Sequence, residues 1–230
     1  MIALGVTGTD TGVGKTVVSA ALAAAYVKSG ARVGVMKPVE TGVTRDSTDR
    51  DGMRLAKAAG SRDDASLVTP YAFPDPLAPL IAARRAGTEV DLGRLDGAFR
   101  SISRDRDVVI VEGAGGLLVP LTDDHAFDTL FLRWKLGVLL VAANRLGVIN
   151  HVQLTLRAAR TIGLSIRAVV LNDTGHDTAD PSTSSNETLL HELISDVRVV
   201  RFPWIPDPCD HQVLASAAER SGLLAAAQPA

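Results

Sequence analysis

The chain predicts an α/β fold, a mostly parallel sheet with helices on both faces, and three observations carry that prediction. Short runs of valine, leucine and isoleucine recur along its 230 residues, with helix-like stretches between most of them. Strands joined by helical crossovers produce that alternation. The runs lack polar residues at every second position, as strands buried on both faces should. Polar residues gather just after the runs, and in such sheets ligands bind beyond the carboxyl ends of the strands.

The first run, Ile2 to Val6, is apolar with a strand's composition, and Thr16 to Lys28 is alanine-rich and helical. Between them lies Gly8-Thr9-Asp10-Thr11-Gly12-Val13-Gly14-Lys15-Thr16. Its glycines let the backbone curl until several N–H groups face an anion. Lys15 can reach β- and γ-phosphates, and the Thr16 hydroxyl suits magnesium. This is a phosphate-binding loop, and it narrows the expected fold to a P-loop NTPase-like one. The spacing is a variant: Thr9 stands where the simplest pattern has its first glycine, with Gly8 one step earlier.

The run Val33 to Met36 leads into Lys37-Pro38-Val39-Glu40-Thr41-Gly42. A lysine at a strand end is either solvated or, here, placed beside the phosphate loop. A second cation is useful if two anions must meet, since like charges ~4 Å apart repel by about 4 kcal/mol at an effective dielectric of 20. Asp49 and Asp51 precede a helical pattern from Gly52 to Ala59, where capping is the commoner fate of an aspartate. Thr69 to Pro79, with four prolines, reads as a surface loop.

Val108 to Val111 ends at Glu112, followed by Gly113-Ala114-Gly115-Gly116. An acid there suits a magnesium-facing role, and the glycines let a substrate or phosphate approach the backbone. Val138 to Ala142 is the next strand. Gly147-Val148-Ile149-Asn150 then opens a helical pattern reaching Ala159, whose free N–H groups could hold a carboxylate. The alternative for Asn150 is an early-helix surface residue. Ile166 to Leu171 leads to Asn172, whose amide matches the N6 and N7 edge of adenine but also suits a turn. Thr174 to Ser185 reads as a loop, Val197 to Phe202 as the last strand, and Ala225 to Ala230 as a fraying end.

Composition narrows the function. A net charge of −2 gives no general basic field, which argues against nucleic-acid partners. The single cysteine, Cys209, forms no intrachain disulfide and points to a reducing compartment. No apolar run reaches membrane-spanning length and no basic leader precedes the first strand, so a soluble cytoplasmic protein without membrane partners is expected. One domain over residues 1–230 accommodates the whole pattern.

Together the motifs resemble the dethiobiotin synthetase family over nearly the whole chain. Besides the loop they include Lys37-Pro38-Val39 with Thr41-Gly42, Pro70-Tyr71 with Phe73, and Val111 to Gly116. Leu146-Gly147 with Ile149-Asn150-His151, and Asn172-Asp173, complete the set. The resemblance implies an ATP- and magnesium-dependent ligase that closes a ureido ring on 7,8-diaminopelargonic acid with carbon dioxide or bicarbonate. The route runs through a carbamate and its mixed anhydride with phosphate. It implies that Thr11, Gly12, Val13, Gly14, Lys15 and Thr16 bind ATP, and that Thr16, Asp51 and Glu112 hold the metal. Lys37, with Lys15 and Thr41, would serve the reacting anions. Asn172 and the segment at Pro203 would bind the base. Thr41, Glu112, Gly115, Gly147 and Asn150 would contact the substrate, the last two from the second subunit of a homodimer. The chain departs from its relatives at Arg145, often lysine, and at Val200, commonly glycine. Switch NTPases of the partitioning type are the alternative, but Asp10 stands where they place a signature lysine.

Overall fold

The computed structural model describes residues 1–44, 46–175 and 180–229. The strands are β1 (Ile2–Gly8), β2 (Val33–Met36), β3 (Val39–Thr41), β4 (Tyr71–Phe73), β5 (Val108–Gly116), β6 (Gly137–Ala143), β7 (Ile166–Asn172) and β8 (Arg198–Phe202). The helices are α1 (Lys15–Lys28), α2 (Asp51–Ala58), α3 (Ala65–Val68), α4 (Pro79–Arg85), α5 (Leu92–Ser103), α6 (Phe127–Arg133), α7 (Val148–Thr161), α8 (Asn186–Leu193), α9 (His211–Arg220) and α10 (Leu223–Ala226).

Six strands form one parallel sheet in the order β2-β5-β1-β6-β7-β8. Successive residues of each strand face opposite layers. In β5, Val108 and Ile110 pack under α1 and α9, while Val109 and Val111 pack under α5 and α6. In β7, Ala168 and Val170 join the first layer and Val169 and Leu171 meet α7 and α8. Both faces are therefore covered, which explains runs without polar alternation.

Alanine makes α1 possible where it lies. Every residue from Val18 to Tyr26 is buried, because the helix is enclosed by the sheet, α2 and α9. Small side chains let those neighbours approach on all sides, and alanine also has the highest helix propensity. Fully burying one larger side chain such as Leu22 contributes about 1.5–3 kcal/mol.

Four expectations need correction. Thr69 to Pro79 is not wholly irregular, since Tyr71–Phe73 forms β4 and pairs in parallel with β3, Val39 against Tyr71 and Thr41 against Phe73. Tyr71 and Phe73 are buried; a strand of three residues between prolines is too short to show a period. β5 does not stop at Val111 but runs through Glu112 to Gly116, and Gly116 pairs with Gly8 at the edge of the phosphate loop. The last strand begins at Arg198 rather than Val197. Finally, the C-terminal segment is packed in part: α10 ends at Ala226, Ala226 and Ala227 are buried, and the guanidinium of Arg167 donates to the carbonyl of Ala227, while Gln228 and Pro229 are exposed and residue 230 lies outside the described ones. Of the expected loop from Thr174 to Ser185, residues 176–179 lie outside the described ones; Pro181–Ser184 forms a 3-10 turn capped by Asp180.

Candidate active site

The phosphate loop leaves β1 and enters α1 through Gly14, whose φ of 91° belongs to the left-handed region that favours glycine. Gly14 has a second constraint: a Cβ there would fall 2.1 Å from Asn172 Nδ2. That amide reaches across from the end of β7 and donates to the carbonyl of Val13 at 2.9 Å. Asn172 thus braces the loop from behind. Lys15 Nζ folds over the loop and donates to the carbonyl of Asp10 at 2.9 Å.

At the end of β5, Glu112 is fully buried. Its Oε1 accepts from the Thr16 hydroxyl at 2.9 Å and from Lys37 Nζ at 2.6 Å. Lys37 Nζ also donates to Asp51 Oδ2 at 3.0 Å and to the Gly113 carbonyl at 3.3 Å, so all three of its N–H groups are engaged. Asp51 is the first residue of α2 and its side chain caps nothing; the cap position belongs to Arg50. Asp49 likewise does not cap, and accepts from Arg54 Nε at 2.8 Å.

Charge follows this geometry. Burial, then the neighbouring Lys37, pulls the Lys15 ammonium down to about 8. Burial also opposes the charge on Lys37, but the Glu112 and Asp51 carboxylates outweigh it and hold Lys37 above its ordinary value. Burial pushes Asp51 up, and Lys37 more than reverses that, leaving its carboxyl below the usual range. Lys37 stays a cation and Asp51 an anion over the neutral range, whereas Lys15 gains its full charge only below about 8.

Of the residues singled out from sequence, Thr11, Gly12, Gly14, Lys15, Thr16, Lys37, Thr41, Asp51 and Gly115 line one cleft of about 770 Å³. Glu112 lies beneath it, bonded to Thr16 and Lys37. Val13 is buried under the loop. Pro203 is exposed just past β8, beside a separate hollow of about 330 Å³ lined by Asn144, Asp173, Arg201 and Trp204. Gly147 and Asn150 are exposed at the start of α7 and are not among the residues lining the cleft. Two further polar lining residues escaped the sequence reading: Arg54, one helical turn beyond Asp51, and Glu40, which bonds the backbone of α2. A solvent-facing arginine carries no sequence signal, and the partners of Glu40 lie 11 and 12 residues away.

The donor set suits magnesium. Among the described residues, Glu112 Oε2 is a buried oxygen with no hydrogen-bond partner. It stands with the Thr16 hydroxyl and the Asp51 carboxylate, all hard oxygen donors. The described residues contain no group of three or more His, Cys, Asp and Glu suited to a metal. Two carboxylates and a hydroxyl leave the remaining positions to phosphate oxygens and water, as magnesium usually requires.

A glycine-rich loop closing on a helix N-terminus, at the carboxyl edge of a parallel sheet, makes this a P-loop nucleotide-binding protein. A family profile described as an AAA domain matches residues 3–211. The fold resembles that of the MinC:MinD cell division protein complex from Aquifex aeolicus, with a TM-score of 0.53, 14% identity, and coverage of 100% of this chain and 98% of that one. Sequence relatives are closer. The ATP-dependent dethiobiotin synthetase of Anaeromyxobacter dehalogenans (strain 2CP-C) is 42% identical over 208 residues, 90% of this chain and 92% of that protein. The synthetase of the same name from Bacillus subtilis (strain 168) is 36% identical over 188 residues, 82% of this chain and 81% of that protein. The chain belongs to the ATP-dependent dethiobiotin synthetase family.

Proposed function

We propose that this chain is an ATP- and magnesium-dependent ligase, acting as a cytoplasmic homodimer. It closes the ureido ring of dethiobiotin from 7,8-diaminopelargonic acid and carbon dioxide, through a carbamate and its mixed anhydride with phosphate. The observation that carries the reading is that Lys15 and Lys37 line the same cleft. Bound ATP and Mg²⁺ supply the phosphoryl group that turns a carbamate oxygen into a leaving group, and the divalent charge on the phosphates.

The chain's own residues do the binding and positioning. Backbone N–H groups from Thr11 to Thr16 receive the triphosphate, and Lys15 exchanges the Asp10 carbonyl for a phosphate oxygen. Thr16, Asp51 and Glu112 hold the metal. Lys37 reaches the carbamate by giving up one of its three acceptors, and Thr41 donates to the substrate nearby. Gly115 leaves room for the substrate against the strand. Such chemistry needs charge neutralisation and alignment more than a nucleophilic side chain. The base rests against Asn172 and the segment at Pro203.

The substrate's far carboxylate is held by the N-terminus of α7, at Gly147 and Asn150, from the second subunit. In favour of that assignment, these residues lie away from the chain's own cleft, and Leu146, just before α7, and Leu154, midway along it, are 80% and 56% exposed. The deciding experiment incubates the protein with the diamine, bicarbonate, magnesium and ATP and follows the cyclic urea by mass. Rapid ATP turnover without the diamine, and no cyclic urea with it, would instead indicate a switch NTPase.

A further inference from the structure

One carboxylate at the cleft has no part in the chemistry proposed above. Glu40 lies in β3, three residues past Lys37, with 4% of its surface exposed. Its Oε1 accepts the backbone N–H of Asp51 at 2.6 Å and its Oε2 that of Gly52 at 3.3 Å. A helix start is ordinarily satisfied by the side chain of its own cap residue. Here that residue is Arg50, which makes no such bond, and Glu40 replaces it from a different element.

The surroundings are built for that contact. A Cβ on Gly52 would fall 2.1 Å from Thr69 Oγ1 and 3.5 Å from Glu40 Oε2, so only glycine lets the first turn of α2 settle this close. Arg50 Nη1 stands 3.8 Å from Glu40 Oε2, with side-chain exposures of 4% and 5%. Among the described residues, Arg50 Nε and Nη1 have no hydrogen-bond partner. A buried pair with unmet donors is a poor source of stability, but its charge holds the Glu40 carboxylate under the helix. Asp51 is thereby gripped twice from residues 37–40: Glu40 takes its backbone N–H and Lys37 its carboxylate.

We infer that Glu40 is a positioning residue for Asp51. It fixes the first turn of α2 so that the Asp51 carboxylate meets Lys37, and it influences catalysis only through Asp51. The kinetic part of this inference rests on the proposed ring closure; the structural part does not.

The test compares wild type, Glu40→Ala, Glu40→Gln, Asp51→Asn and the double variant Glu40→Ala/Asp51→Asn. Amide exchange, resolved by residue in the ligand-free protein, should quicken about tenfold at Asp51 and Gly52 in Glu40→Ala while Lys57 and Ala58 keep their protection. The kcat for cyclic urea should fall about tenfold or more, with KM for ATP changed less than about threefold. The double variant should be no slower than Asp51→Asn within about twofold, because a residue acting only through Asp51 has nothing left to place. Glu40→Gln retains one accepting oxygen and should recover part of the loss. Unchanged exchange at Asp51 and Gly52, or losses that multiply in the double variant, would overturn the inference. Should Glu40→Ala fail to fold, Glu40→Gln carries both comparisons, with quickened exchange expected at one of the two amides and the same non-additivity with Asp51→Asn. If wild type makes no cyclic urea, the proposed reaction fails while the exchange measurement still decides the role of Glu40.

Discussion

At the scale of single residues, Lys37 is the most constrained group in the cleft. Two carboxylates and a carbonyl bind its ammonium within 3.3 Å, so it is charged and aimed before any ligand arrives. Replacing Lys37 with alanine should lower kcat by about a hundredfold, the scale of losing one preorganised donor. The dissociation constant for ATP should stay within about threefold; equal losses in both would place Lys37 on the nucleotide instead. Glu112 is its counterpart, with one oxygen doubly engaged and the other unmet. Glu112→Gln keeps the shape and removes the charge, and should raise the magnesium needed for half-maximal rate by about tenfold. A titration that superimposes on wild type would move the metal elsewhere. Lys37, Glu112 and the loop were legible in the sequence because each lies in a short motif at a strand end. Asp51 was ambiguous, since an aspartate before a helix reads as a cap until its true partner, 14 residues earlier, is seen. The brace from Asn172 to Val13 spans 159 residues, and no local pattern encodes it.

At the scale of elements, the six strands of the main sheet were readable because burial on both faces leaves unbroken apolar runs. The pair β3 and β4 was not, and it matters, since it carries Thr41 and Glu40 into the cleft. Helices α5 and α6 are joined by Asp96, which accepts from Arg133 Nε at 2.9 Å and from the Trp134 indole at 2.8 Å. The Trp134 ring also stacks on Phe99 with centroids 4.5 Å apart. The Arg133 bond is the main cause holding the Asp96 carboxyl below its ordinary 3.8, against burial, with the Trp134 bond assisting. A folded value below the unfolded one means stability that is present above pH 3.8 and lost as pH falls through the folded value. Asp96→Asn should therefore cost stability near pH 7, about 1 kcal/mol, since Arg133 is half-exposed and the asparagine oxygen still accepts. Its deficit relative to wild type should shrink toward pH 3, within the window set by the lowered carboxyl. Unfolding midpoints of both proteins across that range, with Trp134 fluorescence as the probe, check the sign.

At the scale of the whole molecule, two exposed leucines bear on assembly, Leu146 just before α7 and Leu154 midway along it. Among the described residues no helix is long and apolar enough to cross a membrane. Under the proposed homodimer, Leu154→Arg should shift the sedimentation of the protein from dimer to monomer and raise KM for the diamine by about tenfold. ATP binding should be retained, since the loop belongs to the chain's own cleft. A dimer that survives with unchanged KM would place the second subunit on another face.

The enclosure of α1 has one more consequence. Nine successive residues of that helix touch protein on every side, so it has no room to swivel or slide when a nucleotide docks at its first turn. The opposite wall is the two-stranded ribbon β3–β4 and the short helix beginning at Asp51, whose first turn is held by Glu40 and Lys37. Both sides are thus set before cargo arrives, a stationary anvil at the loop and a clamped rail across from it.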